Sequence, residues 1–331
     1  MAVIAVDVMS GDRDPRERLR GALHVLRSQP RLTLLLVGVP AVIEPPLAQL
    51  PATLRSRAEL VPAAGVIAMD QAPRAAVRRG RDSSMRIALE LVKAQRASAC
   101  VSAGNTGALA AIAHFVLKNV ADVERAAILS AIPSALGHTY MLDLGANTRA
   151  TPRQLTQFAR MGAVAARELY GLSAPRIGLL NVGEEDIKGH ELVRAAHAEL
   201  IASGLGYVGF VEGDAIFSGA VDVVVTDGFT GNVALKTMEG LARLIAERTR
   251  REFRVSLPAR LAGLVSAPVL RRLARQLDPR RYNGACMVGL RGVVVKSHGR
   301  ADAMAFARAL ELAARAAEAN LTAHMARAFA V

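Results

Sequence analysis

The chain has 331 residues, 52% of them hydrophobic but only 4% aromatic, so its core must be built from Ala, Leu and Val, as in layered α/β proteins. Its two cysteines, Cys100 and Cys286, provide neither a disulfide framework nor a metal-ligand spacing and fit a reducing cytoplasm. The formal charge of +13 points to an acidic partner or to a genome biased toward Arg, while the scarcity of aromatic residues argues against single-stranded nucleic acid.

Two segments hold most of the charge: residues 243–281, at net +8, and residues 74–86, at net +4. No uninterrupted apolar run of about 18 residues is present to span a membrane. Asp7 stands where a signal peptide needs its apolar stretch. Both observations point to a cytoplasmic chain.

Residues 2–8 (AVIAVDV) predict a buried strand closed by the turn Ser10-Gly11-Asp12, then a helix over 15–27. Residues 32–38 (LTLLLVG) predict a second strand. The Pro-rich stretch 40–64 is weakly patterned and suggests one short strand and one helix, and 74–81 reads as a basic connector. A helix over 83–95 places Met85, Ala88, Leu89, Leu91 and Val92 on one side. A repeated unit follows: strand 97–102, turn 103–107, helix 108–118. Residues 139–147 form a strand and turn. Thr151-Pro152-Arg153-Gln154 then starts a helix, with a capping Thr, Pro first and Gln three residues after the cap, and Gly171 stops it. Strand 176–183, helix 189–203 and strand 206–213 continue the rhythm. In VDVVVTDGFTGN (221–232) a β-branched strand ends at Thr226-Asp227-Gly228, and a helical pattern begins near Asn232.

Residues 254–281 break the rhythm and read as two short amphipathic helices split by Pro268. Leu257, Leu261, Leu264 and Val265 lie on the first, Leu270, Leu273 and Leu277 on the second, with Arg on the polar faces. A last strand and turn (292–299) and a closing helix (301–326) complete the chain. The alternation predicts one α/β domain over 1–331, with a mainly parallel sheet covered on both faces and a basic helical insertion at 254–281.

The turns share Gly and Asn: Gly104, Asn105 and Thr106 in GNTG, Asn147 in GANT, Asn181 in NVGEED, and Gly228 and Asn232 in DGFTGN. Ligands of open α/β sheets bind at the carboxyl ends of strands, and helix N-termini there suit phosphate. These loops therefore predict a phosphate-handling active site, although Gly-Asn turns also arise for conformational reasons alone. Lys188 is the one lysine among the loops and suits an oxyanion; the plainer alternative is a solvated partner of Glu184, Glu185 or Asp186. Asp227 and His298 are acid–base or orienting candidates. Asp7, Asp143 and Asp227 end strands, but nothing in their spacing requires a metal. Cys100 sits inside an apolar strand, as an inert thiol does.

Five runs resemble the PlsX family of acyl-acyl-carrier-protein:phosphate acyltransferases: residues 82–111, LDLGAN (142–147), FARMGAVAARELYG (158–171), RIGLLNVGEEDIKGHEL (176–192) and residues 209–240. The resemblance covers nearly the whole chain. It implies a three-layer α/β/α sandwich similar to isocitrate dehydrogenase and phosphotransacetylase, a homodimer, and no metal or organic cofactor. It implies transfer of a long acyl chain from acyl carrier protein to inorganic phosphate, giving acyl phosphate for glycerol-3-phosphate acyltransferase in phospholipid synthesis. Lys188 and Asn232 fall on the family's catalytic lysine and asparagine. Gly104, Asn105, Thr106, Asn147, Asp227, Gly228 and His298 would shape the substrate and phosphate pocket.

The Arg-rich surface would steer acidic acyl carrier protein rather than nucleic acid. Residues 254–281 would lie on an anionic membrane, making the chain cytoplasmic and peripherally membrane-associated, or would pack a dimer. Three places depart from the pattern: Ser10 replaces a glycine, Thr226 stands where many members carry cysteine, and 282–292 is looser than usual. Thr226 argues against an acyl-cysteine intermediate there. A phosphotransacetylase-type enzyme using acyl-coenzyme A is the alternative.

Overall fold

The computed structural model describes residues 2–276 and 278–330. The N-terminal third alternates β1 (Ala2–Asp7), α1 (Pro15–Ser28), β2 (Leu32–Gly38), α2 (Pro40–Ala48), α3 (Ala52–Arg55), β3 (Ala58–Pro62), α4 (Pro73–Arg79), α5 (Ser84–Lys93), β4 (Ala99–Ser102) and α6 (Thr106–Leu117). Side-chain caps fix several starts: Asp14 accepts from Arg16 N, and Ser83 accepts from Arg86 N. The basic stretch expected to be a connector is helix α4. Pro73 starts it, and Ala76 is buried under the arginines.

The middle contains β5 (Ala127–Ser134), β6 (Gly137–Leu142), α7 (Pro152–Tyr170), β7 (Ile177–Leu180), α8 (Glu191–Ala202), β8 (Tyr207–Val211), α9 (Ala215–Ser218) and β9 (Val223–Val225). Strand β5 has no counterpart in the sequence reading. The capping box before α7 forms as expected, with Gln154 N donating to Thr151 Oγ1 at 3.2 Å and Thr151 N donating to Gln154 Oε1 at 3.1 Å. Gly171 closes that helix in the left-handed region, at φ +73°.

The last third holds α10 (Gly228–Glu252), α11 (Leu257–Gln276), a 3-10 turn (Pro279–Tyr282), β10 (Ala285–Val288), β11 (Val293–Lys296), α12 (Ala303–Glu318) and α13 (Leu321–Phe329). Three expectations change here. Helix α10 begins at Gly228, four residues before Asn232, because Asp227 supplies the cap. Residues 257–276 form one helix, not two; Pro268 sits on its exposed side, where water can take the carbonyl left by the missing N–H. Leu277 lies outside the described residues. The closing helix divides at Asn320, which adopts φ +49°.

All strands join one sheet in the order β3-β2-β1-β4-β11-β10-β5-β6-β9-β7-β8. Pairing is parallel except around β10 and β5, where β10 runs antiparallel to β11 and β5, and β5 runs antiparallel to β6. The strands β1 to β4 and β11 therefore run one way, and β6 to β9 run the other. Side chains alternate between two apolar layers: Ile4, Leu34, Val101 and Val295 face one, Ala5, Leu35, Cys100 and Val294 the other. Burial on both faces explains why these strands read as continuous apolar runs. Helix α1 crosses α12 closely because residue 21 is glycine; a methyl group there would lie 2.5 Å from Ala303 O.

Candidate functional site

The reversal of strand direction sorts the predicted residues into two groups. The first lies at the carboxyl ends of the neighbouring strands β6, β9 and β7. Asp143, fully buried, organises it. Its Oδ1 accepts from Ile128 N (3.0 Å), Gly145 N (3.1 Å) and Ala146 N (3.0 Å), and its Oδ2 from Asn147 N (2.7 Å) and Asn147 Nδ2 (2.9 Å). Burial pushes this carboxyl above its ordinary pKa, and the hydrogen bonds pull against that. Asn147 is committed to the loop: Nδ2 also reaches Ala126 O at 2.8 Å, and its carbonyl accepts from Gly228 N at 2.8 Å.

The first turn of α10 presses onto this loop. A methyl group on Gly228 would sit 2.5 Å from Asn147 O, and one on Gly231 2.0 Å from Asp143 O. Only glycine permits that approach. Asp227 is a helix cap, with Oδ1 accepting from Phe229 N at 2.9 Å and Thr230 N at 3.0 Å, and Oδ2 from Thr230 Oγ1 at 2.6 Å. Asn232 therefore has no capping duty. It is exposed on the second turn of α10, against Gly145, and its amide has no hydrogen-bond partner among the described residues.

Lys188 lies in the adjoining loop after β7. Its backbone is held in a tight turn, with Lys188 N donating to Glu185 O at 2.9 Å and Lys188 O accepting from Asn181 Nδ2 at 3.3 Å. The side chain is exposed and, among the described residues, forms no ion pair with the nearby acids; Asp186 instead faces His197 at 3.5 Å. A cavity of about 380 Å³ opens between Thr148, Arg149, His190, Asp227, Phe229 and Thr230, contributed by all three loops.

The second group lies at the ends of β4 and β11. Both ends of the Asn105 amide are used: Oδ1 accepts from Ala108 N at 3.0 Å to cap α6, and Nδ2 donates to Met69 O at 2.6 Å and Gln71 O at 3.2 Å. Thr106 is the first residue of α6, and Gly104 is buried with its N–H on Ser102 Oγ at 3.1 Å. His298 Nδ1 accepts from Arg300 N at 3.0 Å; burial, then Lys236, lowers its pKa. Lys236, four residues after Asn232 on the same face of α10, thus acts on the end of β11.

Lys296, Ser10 and Arg18, none of them a site candidate from sequence, are all buried at this second edge. A lysine closing the apolar run VVVK, and an arginine among the apolar positions of α1, were the available signals. Among the described residues, no group of three or more His, Cys, Asp or Glu is placed to hold a metal. Both cysteines are buried; desolvation drives the Cys100 thiol well above its ordinary pKa and Cys286 to about 12, so neither is a nucleophile.

Comparison with known proteins agrees with this architecture. The model of a family described as fatty acid synthesis protein matches residues 2–324. A phosphate acyltransferase of Methylococcus capsulatus is 49% identical over 318 residues, covering 96% of this chain and 94% of its own. One from Alkalilimnicola ehrlichii is 51% identical over 310 residues, covering 94% and 91%. Among solved structures, a phosphotransacetylase from Streptococcus pyogenes matches with TM-score 0.64 at 16% identity, over 96% of this chain and 94% of that one. The EutD phosphotransacetylase from Staphylococcus aureus matches with TM-score 0.61 at 16% identity, over 96% and 94%. At that identity the likeness shows the fold alone, an α/β sheet with helices on both sides, as expected.

Proposed function

The chain belongs to the phosphate acyltransferases of the fatty acid synthesis protein family, and on that premise we propose that it moves a long-chain acyl group from acyl carrier protein to inorganic phosphate. The products would be acyl phosphate and holo-acyl carrier protein, the former an activated donor for a glycerol-3-phosphate acyltransferase in phospholipid synthesis. The observation that carries this reading is the first loop group: two polar groups with no competing partner among the described residues, the Asn232 amide on the second turn of α10 and the Lys188 ammonium in the loop after β7, belong to the strand-end segments whose neighbouring residues line a cavity of about 380 Å³.

A phosphate oxygen attacks the thioester carbonyl, and the C–S bond breaks as the acyl–O bond forms. The thiolate is a good leaving group, so positioning and oxyanion stabilisation matter more than general acid help. Lys188 neutralises charge on the developing oxyanion, and Asn232 donates a hydrogen bond to it. Losing one such donor slows catalysis by about 10²- to 10³-fold. The test is to mix the protein with palmitoyl-acyl carrier protein and phosphate, trapping acyl phosphate as hydroxamate while titrating released thiol. Equal yields of both, falling about 100-fold in Lys188→Ala, are expected. A near-normal rate in that variant would remove Lys188 from the mechanism, and turnover of acyl-coenzyme A alone would favour the phosphotransacetylase-type reading.

The second half of α10 and all of α11 carry Leu241, Leu244, Ile245, Leu257, Leu261, Leu264 and Val265 more than half exposed, interleaved with arginines. No described helix is long and apolar enough to cross a membrane. We read this arm as lying on an anionic membrane surface, leucines inward and arginines at the headgroups, the alternative being that it packs a homodimer. The Arg-rich surface also suits acidic acyl carrier protein. Co-sedimentation with anionic vesicles should be lost in a Leu261→Glu, Leu264→Glu variant; unchanged binding defeats the membrane reading.

A further inference from the structure

At the second edge, Asp7, Ser102 and Lys296 are register partners across β1, β4 and β11, so their side chains leave the same face of the sheet. Asp7 is satisfied: Oδ1 accepts from Ser84 Oγ at 2.6 Å and Ser10 N at 3.3 Å, and Oδ2 from Ser102 Oγ at 2.6 Å. Of the other groups here, Lys296, Ser10 and Arg18 are donors, while the Asp12 carboxylate, beside Gly299, lies within electrostatic reach of Lys296 and Arg18. Lys296 commits one proton to Ser297 O. Ser10 Oγ and Arg18 Nη1, on residues 0% and 1% exposed, have no hydrogen-bond partner among the described residues. The other guanidinium nitrogens of Arg18 are occupied, Nε by Val8 O and Nη2 by Arg13 O, both at 2.8 Å.

Three turns meet here. Asp12 N donates to Gly299 O at 2.9 Å, and Ser297 N to Ser102 O at 2.8 Å. The two unpartnered atoms sit against turn glycines: a methyl group on Gly104 would lie 3.3 Å from Ser10 Oγ, and one on Gly11 3.0 Å from Arg18 Nη1. A methyl group on Gly104 would also meet Met85 Cε at 2.3 Å, so these turns pack closely around the two donors. The N-termini of α5 and α6 open onto the same edge. Burial, then Lys236, pushes the Lys296 amine down to about 8, opposed by Asp12 and Asp7. Unmade hydrogen bonds on buried groups are expensive, most of all for a charged one. An ammonium, a hydroxyl and a guanidinium nitrogen at one strand-end edge have a tetrahedral oxyanion as their common complement.

We propose that this edge is the seat of the phosphate substrate, held by Lys296, Ser10 and Arg18, with Lys236 of α10 facing it. The identity of the anion rests on the acyl-transfer reading; the site itself rests on the donors. Because Asn232 and Lys236 share a face of α10, that helix spans from the thioester's oxyanion to the bound phosphate.

The test is calorimetric titration of inorganic phosphate into the whole protein with no thioester present. Saturable binding is expected, weakened about 10- to 100-fold in Lys296→Met and in Ser10→Ala, and largely restored in Lys296→Arg. Lys188→Ala should keep the wild-type affinity. In turnover, the two donor variants should raise KM for phosphate and leave KM for acyl carrier protein unchanged. Ser10→Ala removes a hydroxyl without a partner, so it stays informative if Lys296→Met does not fold. Absence of saturable binding to the wild type, or wild-type affinity in folded Ser10→Ala and Lys296→Met, would overturn the proposal. So would variants that lose affinity for phosphopantetheine while keeping it for inorganic phosphate. A protein that binds phosphate through Lys296 yet forms no acyl phosphate would keep this site and refute the acyl-transfer reading.

Discussion

Replacing Lys296 by methionine should make the protein more stable while impairing it. The side chain keeps its length, and the buried ammonium disappears. Burial lowers the amine from 10.5 to about 8, a difference worth about 3 kcal/mol against the folded state at neutral pH. Losing the contact to Ser297 O returns about 1 kcal/mol, leaving a net gain of about 2 kcal/mol. The sign follows from proton counting. Below pH 8 both folded and unfolded chains hold the proton, and the full penalty applies. Between pH 8 and 10.5 only the unfolded chain holds it, so wild-type stability climbs relative to the variant, and above 10.5 the difference vanishes apart from the lost contact. Tyr140, pushed up to about 12 by burial, and the two buried thiols pull the opposite way in alkali, but both proteins share them and they cancel in the difference. Urea unfolding of both proteins in phosphate-free buffer at pH 7, 8, 9 and 10 measures this directly. A variant less stable than wild type at pH 7, or an advantage that does not shrink with pH, would refute the reasoning.

Asn105→Ala should lower stability by about 1–2 kcal/mol, from the lost α6 cap and the lost tether to Met69 and Gln71, yet leave phosphate affinity unchanged in the same titration. A collapse of affinity at unchanged stability would show that its amide serves the ligand. Gly231→Ala should destabilise by about 3 kcal/mol or more and abolish turnover, because its methyl group meets Asp143 O at 2.0 Å, whereas Gly240→Ala on the same helix, with nothing within 4 Å, should stabilise by about 0.5–1 kcal/mol; thermal melts compare them. Ellman's reagent should leave both cysteines of the folded protein unlabelled and react with both in urea; rapid labelling of the native state would contradict their burial.

What could be read from the residues was local. Thr151-Pro152-Arg153-Gln154 states its own helix start, and LTLLLVG its strand, because the deciding interactions lie within four residues or one face. Strand β5 (AILSAIPS) was not legible: Pro133 lies inside it, and the hairpin that follows turns on Ala135-Leu136 with no Gly or Asn between strands. Arginines concealed α4, since its buried side is little more than Ala76. At the site, the cap of α10 is Asp227 and the helix starts at Gly228 rather than near Asn232, because a cap is fixed by backbone angle, which composition does not carry. The division of the loops into two groups depends on strand direction, and an apolar run reads the same whichever way its neighbour points. Lys296 became visible only when β11 brought it beside Ser102 and Asp7, residues nearly 200 and 300 positions away in the chain.

The strand order also fixes a timetable. Residues 2–102 supply β1 to β4, and residues 127–225 supply β5 to β9, while β10 and β11, the two strands that join these halves, come from residues 285–296. During synthesis the two half-sheets exist before their seam does, and β4 and β5 each present an open edge until nearly nine-tenths of the chain has emerged. Helix α12, which lies over β11, β4 and β1, then covers the closed seam. A chain cut short after residue 284 loses the centre of its sheet, and with it Lys296.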